Sequence, residues 1–102
     1  MIFVFEVHVH PGHTAEAYAE AWVRVSEIIQ QAPGARGTRL HRQIGDDRKL
    51  LAIASWDSKA ARDAMDANPS AEVQRIIAEQ AEFVDVRVIG EFADPDWIVN
   101  PG

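Results

Sequence analysis

The sequence contains no cysteine. That excludes disulfides, thiolate metal sites and a cysteine nucleophile. It also leaves stability to packing alone, within the chain or across a subunit boundary. Lysine is scarce: Lys49 and Lys59 stand alone, and the net charge is -6. Nucleic acid and anionic membranes are therefore not expected partners, because phosphate binding draws on clustered cations. No apolar run approaches the roughly 18–20 residues that a membrane span needs. The first residues, Met1-Ile2-Phe3-Val4-Phe5-Glu6, carry neither the basic region nor the small-residue cleavage site of a signal peptide, so the cytoplasm is the expected compartment. Glycine-rich phosphate loops, nucleophile elbows and Walker patterns are missing too.

What remains is the composition of an ordinary folded domain: 102 residues, 47% apolar and 25% charged. Residues 2–9 alternate, with Phe3, Phe5, Val7 and Val9 on one face and Ile2, Val4, Glu6 and His8 on the other. That period marks a strand, and Pro11-Gly12 stops it. Thr14 offers an N-cap for a helix over 15–31, with Tyr18, Trp22, Val25 and Ile29 at helical spacing. Pro33-Gly34 ends it. Strands are expected over 37–44 and 49–56, joined by the polar loop Gly45-Asp46-Asp47-Arg48. Asp57 or Ser58 can cap a short helix over 59–67, and Ser70 a second piece reaching about Ala81. Residues 83–92 alternate again, with Val84, Val86, Val88 and Phe92 opposite Phe83, Asp85, Arg87 and Glu91.

The order β-α-β-β-α-β predicts an α+β, ferredoxin-like split βαβ fold over residues 1–92, with a four-stranded antiparallel sheet and its helices on one face. The other sheet face would carry Ile2, Val4 and Phe83 beside Glu6, His8, Asp85 and Arg87. So much apolar sheet calls for a cover, and a twofold partner is the expected one, giving a homodimer through the sheet face. A monomer with a mixed, partly exposed sheet is the alternative. Residues 93–102 form a tail whose Trp97 and Ile98 are expected to pack on the partner or cap the barrel.

Several stretches carry a family likeness. They are Pro11-Gly12, then Ala21-Trp22 and Ser26, then Pro33-Gly34-Ala35-Arg36-Gly37, Leu40-His41-Arg42, and Ala52-Ile53-Ala54-Ser55-Trp56-Asp57-Ser58 running into a helix. Together they resemble the antibiotic biosynthesis monooxygenase-like (ABM) family of dimeric α/β barrels, up to about residue 92. The resemblance implies a ligand cavity between sheet and helices. Some members of that family oxidise quinol- or polyketide-like aromatics with O₂ and no metal or flavin, others degrade haem, and many have no assigned activity. The haem-degrading branch keeps an Asn, a Trp and a His where this chain has residues near Val7, Met65 and Arg75, and none of the three is retained. Haem would lack its axial histidine, so that branch is set aside.

The expected function is therefore a cofactor-independent monooxygenase acting on a small aromatic molecule, with no metal and no cofactor. The alternative is a non-catalytic module of the same fold that binds a small ligand or supports dimerisation. Phe3, Phe5, Trp22, Trp56, Met65 and Ile76 are the candidate substrate-binding residues, since flat substrates are held by aromatic and apolar walls. His8 and His13 are the candidate bases, and Ser55 a further polar contact. Glu6, His8 and His10 share a strand face, but three or four converging ligands are needed for a metal. With Asp85 and Arg87 expected beside them, they are read as a paired polar cluster at the interface. A Ser55-His8-Asp85 triad has no support from spacing. His41, Arg39 and Arg42 protect an edge strand, and Glu72, Glu79 and Glu82 form a solvated face.

Overall fold

A computed structural model describes residues 1–102. It contains β1 (Ile2–Val9), α1 (Ala15–Ile29), β2 (Ala35–Gln43), β3 (Asp46–Trp56), α2 (Lys59–Ala67), α3 (Ala71–Gln80) and β4 (Val84–Phe92). The four strands form one antiparallel sheet in the order β2-β3-β1-β4. This is the ferredoxin-like arrangement that the element order predicts.

Each helix starts at a side-chain cap. Thr14 Oγ1 accepts from the Ala17 N–H at 3.2 Å, Ser58 Oγ from Ala61 at 3.1 Å and Ser70 Oγ from Val73 at 3.1 Å. Each cap satisfies a donor that the first turn leaves free, a contribution of about 1 kcal/mol. Between caps Ser58 and Ser70, Asn68-Pro69 separates α2 from α3.

Register sorts the side chains. Phe3, Phe5 and Val7 lie opposite Ala54, Ala52 and Leu50, and Val7 and Val9 lie opposite Val86 and Val84. These face the helices. Val4, Glu6 and His8, opposite Ile53, Leu51 and Lys49, occupy the open face. Val7, Val9, Ala15, Leu50 and Val84 form a buried cluster, with Phe5, Tyr18, Leu40 and Phe83 packed against it. Ala15 ties this cluster to the first turn of α1.

Two expectations are corrected. The β2–β3 loop is not Gly45 to Arg48 but the pair Ile44-Gly45, with Gln43 paired to Asp46. Gly45, at φ +88, closes the reversal in two residues, so Asp46, Asp47 and Arg48 join the strand. The second correction lies in β4. Val88 faces Phe5 while Gly90 faces the next residue, Val4, so Ile89 is an extra residue in a bulge. Beyond it the alternation inverts. Phe92 lies opposite Ile2 on the open face, and Glu91 opposite Phe3 on the helix side, the reverse of the sequence reading.

Gly34, at φ +87, ends the turn after α1, and its carbonyl accepts from the Asp57 N–H at 2.8 Å. A Cβ there would stand 2.5 Å from the Ala61 Cβ. Gly34→Ala is therefore expected to cost more than the roughly 1–2 kcal/mol that a left-handed backbone alone imposes. Urea denaturation checks this; an unchanged midpoint would show that the turn relaxes freely.

The chain is a slab of 43 × 37 × 18 Å, one sheet beneath one layer of helices. No helix is long and apolar enough to cross a membrane. The tail does not cap the sheet within the chain. Asp94 meets the Met1 amino group at 3.0 Å, but Trp97 is 88% exposed.

Candidate active site

A cavity of about 590 Å³ lies between the helices and the sheet, within the range that holds small molecules. Its existence follows from residue size. Ala21 on α1 and Ala54 on β3 both line it, and larger side chains there would fill the space as interiors ordinarily are filled. Phe3, Phe5 and Trp56 contribute from the sheet, Tyr18 and Trp22 from α1, Arg62 and Met65 from α2, and Val73 and Ile76 from α3. The Phe3 and Phe5 ring centroids are 5.7 Å apart with planes tilted by 44°, a favourable aromatic arrangement. The helical layer stops short of β4. Val84 and Val86 line the cavity, yet Val86 is 55% exposed. The cavity therefore opens along that strand.

Phe3, Phe5, Trp22, Trp56, Met65 and Ile76 all line this one space. His8 and His13 do not. His8 has the strand parity of Val4 and Glu6 and projects from the opposite face, where its Nε2 lies 3.4 Å from Glu6 Oε2. His13 stacks on Phe83 at 4.5 Å between centroids, outside the lining. Neither is placed to take a proton from a molecule in the cavity. Ser55 pairs with Ile2 and shares the open face.

Two functional candidates were not singled out from sequence. Tyr18 was assigned to the apolar stripe, but its phenol lines the cavity, and burial pushes its pKa up to about 12. Desolvation is the only cause of this shift, with no bonded or charged neighbour contributing. The hydroxyl thus stays neutral and able to donate. Arg62 lies in the α2 wall with its guanidinium 3.6 Å above the Phe3 ring. Spacing could have found both: Tyr18 is one turn before Trp22, and Arg62 three residues before Met65.

Tyr18 is the only tyrosine, so its titration can be followed directly by phenolate absorbance. The folded chain is expected to titrate near 12, against the unperturbed 10.0. The folded pKa is raised, so this group's contribution to stability is complete below pH 10 and is lost as pH rises towards 12. A folded-state midpoint near 10 would place the phenol in water.

The open-face cluster is a separate matter. Glu6 meets His8 at 3.4 Å, Lys49 at 3.7 Å and Arg87 at 3.9 Å. The His8 hydrogen bond, then Lys49 and Arg87, hold the Glu6 carboxyl below its usual range, against an opposing desolvation. Asp85 turns to His10, at 3.1 Å, rather than to His8, its partner in register. These pairs are not buried in the chain, as Arg87 and Asp85 are mostly exposed, so each contributes little to stability. No three His, Asp or Glu side chains gather as metal ligands.

Comparison with known proteins follows the geometry. In structure the chain is similar to SnoaB, a cofactor-independent oxygenase from Streptomyces nogalater. The TM-score is 0.78 at 18% identity, over 92% of each chain. It is also similar to a structure described as an antibiotic biosynthesis monooxygenase, with TM-score 0.70 at 19% identity over 93% of this chain and 100% of that one. A third likeness is to Rv0793 from Mycobacterium tuberculosis, with TM-score 0.65 at 16% identity over 91% and 96%. At these identities the likeness establishes the fold. No curated protein sequence matches the chain. The family model described as Antibiotic biosynthesis monooxygenase, however, matches residues 1–84, most of the chain, and so the protein belongs to the antibiotic biosynthesis monooxygenase family.

Proposed function

We propose that the chain is a cofactor-independent monooxygenase that oxidises a small, electron-rich aromatic, a quinol or polyketide-like anthrone, inside the cavity between sheet and helices. The observation that carries this reading is the cavity, walled by Phe3, Phe5, Trp22, Trp56, Met65 and Ile76 in a chain of this family. SnoaB is a cofactor-independent oxygenase, and its activity is a model for the chemistry proposed here.

The reaction asks little of the protein. In an anthrone the ring CH₂ loses a proton, and the resulting enolate passes one electron to O₂. The two radicals combine as a peroxide anion, which takes back the proton to become a hydroperoxide and then loses water to leave a carbonyl. One O₂ is consumed and one water is formed. The apolar walls hold the ring and limit water at the reacting carbon. Tyr18, kept neutral by burial, donates to the oxygen where enolate charge develops. Asp66, an exposed carboxylate at the cavity rim, is the proton acceptor on offer. A second copy covers the open sheet face, and the homodimer works in the cytoplasm.

An oxygen electrode tests the reading with chelator-treated protein and a panel of anthrones and hydroquinones. Uptake of one O₂ per carbonyl formed is expected for at least one member. Binding without uptake across the panel would favour a non-catalytic ligand-binding module.

A further inference from the structure

Of the residues that line the cavity, Arg62 is the only lysine or arginine. Its side chain is 14% exposed, lying between the Phe3 ring beneath it at 3.6 Å and the end of β4. Its ion-pair partner there is Glu91 Oε2, at 3.9 Å, too far for a hydrogen bond. The other Glu91 oxygen is engaged by Lys59 Nζ at 3.1 Å. One carboxylate is thus divided between two cations, and the guanidinium retains unused N–H donors in a half-buried, largely apolar wall. The bulge at Ile89 creates this situation, because without it Glu91 would face the other side of the sheet.

We infer that Arg62 is a specificity-determining residue, and that the aromatic substrate carries a carboxylate on its ring that the guanidinium fork receives. This rests on the cavity being the substrate site proposed above. A planar guanidinium matches a carboxylate with two parallel hydrogen bonds, which a lysine cannot do. The Phe3 ring, 3.6 Å from the guanidinium carbon, and the low exposure of the side chain confine the fork before any ligand arrives, so little order is lost on binding. The rim acid Asp66, one turn further along α2, repels anions generally. A preference for a carboxylate must therefore come from Arg62 itself.

Calorimetric titration with 1-hydroxy-2-naphthoate and its neutral analogue 1-hydroxy-2-naphthamide reads the inference without any turnover. The wild-type chain is expected to bind the naphthoate at least about tenfold more tightly, the usual scale of a hydrogen bond to a charged group. Arg62→Gln should abolish that preference while leaving the naphthamide affinity within about threefold, and Arg62→Lys should retain part of it. Glu91→Gln, which leaves Arg62 in place, should tighten the naphthoate alone by about threefold as the competing charge is removed. Equal affinities in the wild-type chain overturn the inference, as does a preference that survives Arg62→Gln. A Glu91→Gln chain that treats both ligands as the wild type does also counts against it. Binding of neither compound would remove the cavity as the site and the inference with it. Carboxylate preference without O₂ uptake from any quinol keeps the role of Arg62 and removes the monooxygenase. Uptake without carboxylate preference does the reverse.

Discussion

Trp56→Ala is expected to destabilise the chain by about 3–5 kcal/mol, the range for truncating a buried tryptophan. Trp56 ends β3 and is 2% exposed. Its backbone is tied to the first residue, with its N–H donating to Met1 O at 2.9 Å and its carbonyl accepting from the Met1 amino group at 3.0 Å. Those bonds survive the substitution, so the loss falls on packing. The site also borders the cavity. The void left by the indole merges with existing space rather than being closed by neighbours, which pushes the cost to the upper part of that range. Domains of this size hold only about 5–15 kcal/mol in total, so the variant should be close to unfolding at physiological temperature. Urea unfolding gives the number. A loss below about 1 kcal/mol would mean that the indole packs against nothing that matters.

Ala54→Phe is expected to have the largest effect on activity. Ala54 lies in the middle of β3, opposite Phe3 on one side and Thr38 on the other, with its methyl group in the cavity floor. A phenyl ring there would rise into the cavity. It enters an opening rather than a filled core, so the full 1–3 kcal/mol of overpacking, roughly, is not expected. Turnover should fall at least about a hundredfold, the scale at which misplacing a substrate by an ångström acts. Oxygen uptake within about twofold of wild type would show that the reaction occurs elsewhere.

Most of the fold was legible because its signals are local. Thr14, Ser58 and Ser70 are caps in sequence and in structure. The odd residues of β1 gave the helix-facing side directly, and Tyr18, Trp22 and Met65 lie on helix stripes that reach the same space. The errors also have local causes. The polar run Gly45 to Arg48 reads as a four-residue loop, although one glycine at positive φ allows a two-residue turn. Gly90, a glycine within a strand, is the one local signal of the bulge, and the inverted placement of Glu91 and Phe92 follows from it. His8 is an even-numbered residue of β1, and by the alternation it cannot share the face of Phe3 and Phe5. The contacts of Arg62 could not be read at all. They depend on the bulge that brings Glu91 to the helix side, and on how closely α2 approaches Phe3.

An aromatic molecule is expected to bind between helices and sheet, not on the open face. The three tryptophans allow it to be tested in one experiment, because Trp22 and Trp56 line the cavity and Trp97 does not. The indole N–H resonances can be followed by NMR as 1-hydroxy-2-naphthamide is added. The Trp22 and Trp56 signals are expected to shift together and saturably, with Trp97 and the open-face methyl groups of Val4 and Ile53 unmoved. Shifts confined to Trp97 or to those open-face methyl groups, with Trp22 and Trp56 unchanged, would contradict it.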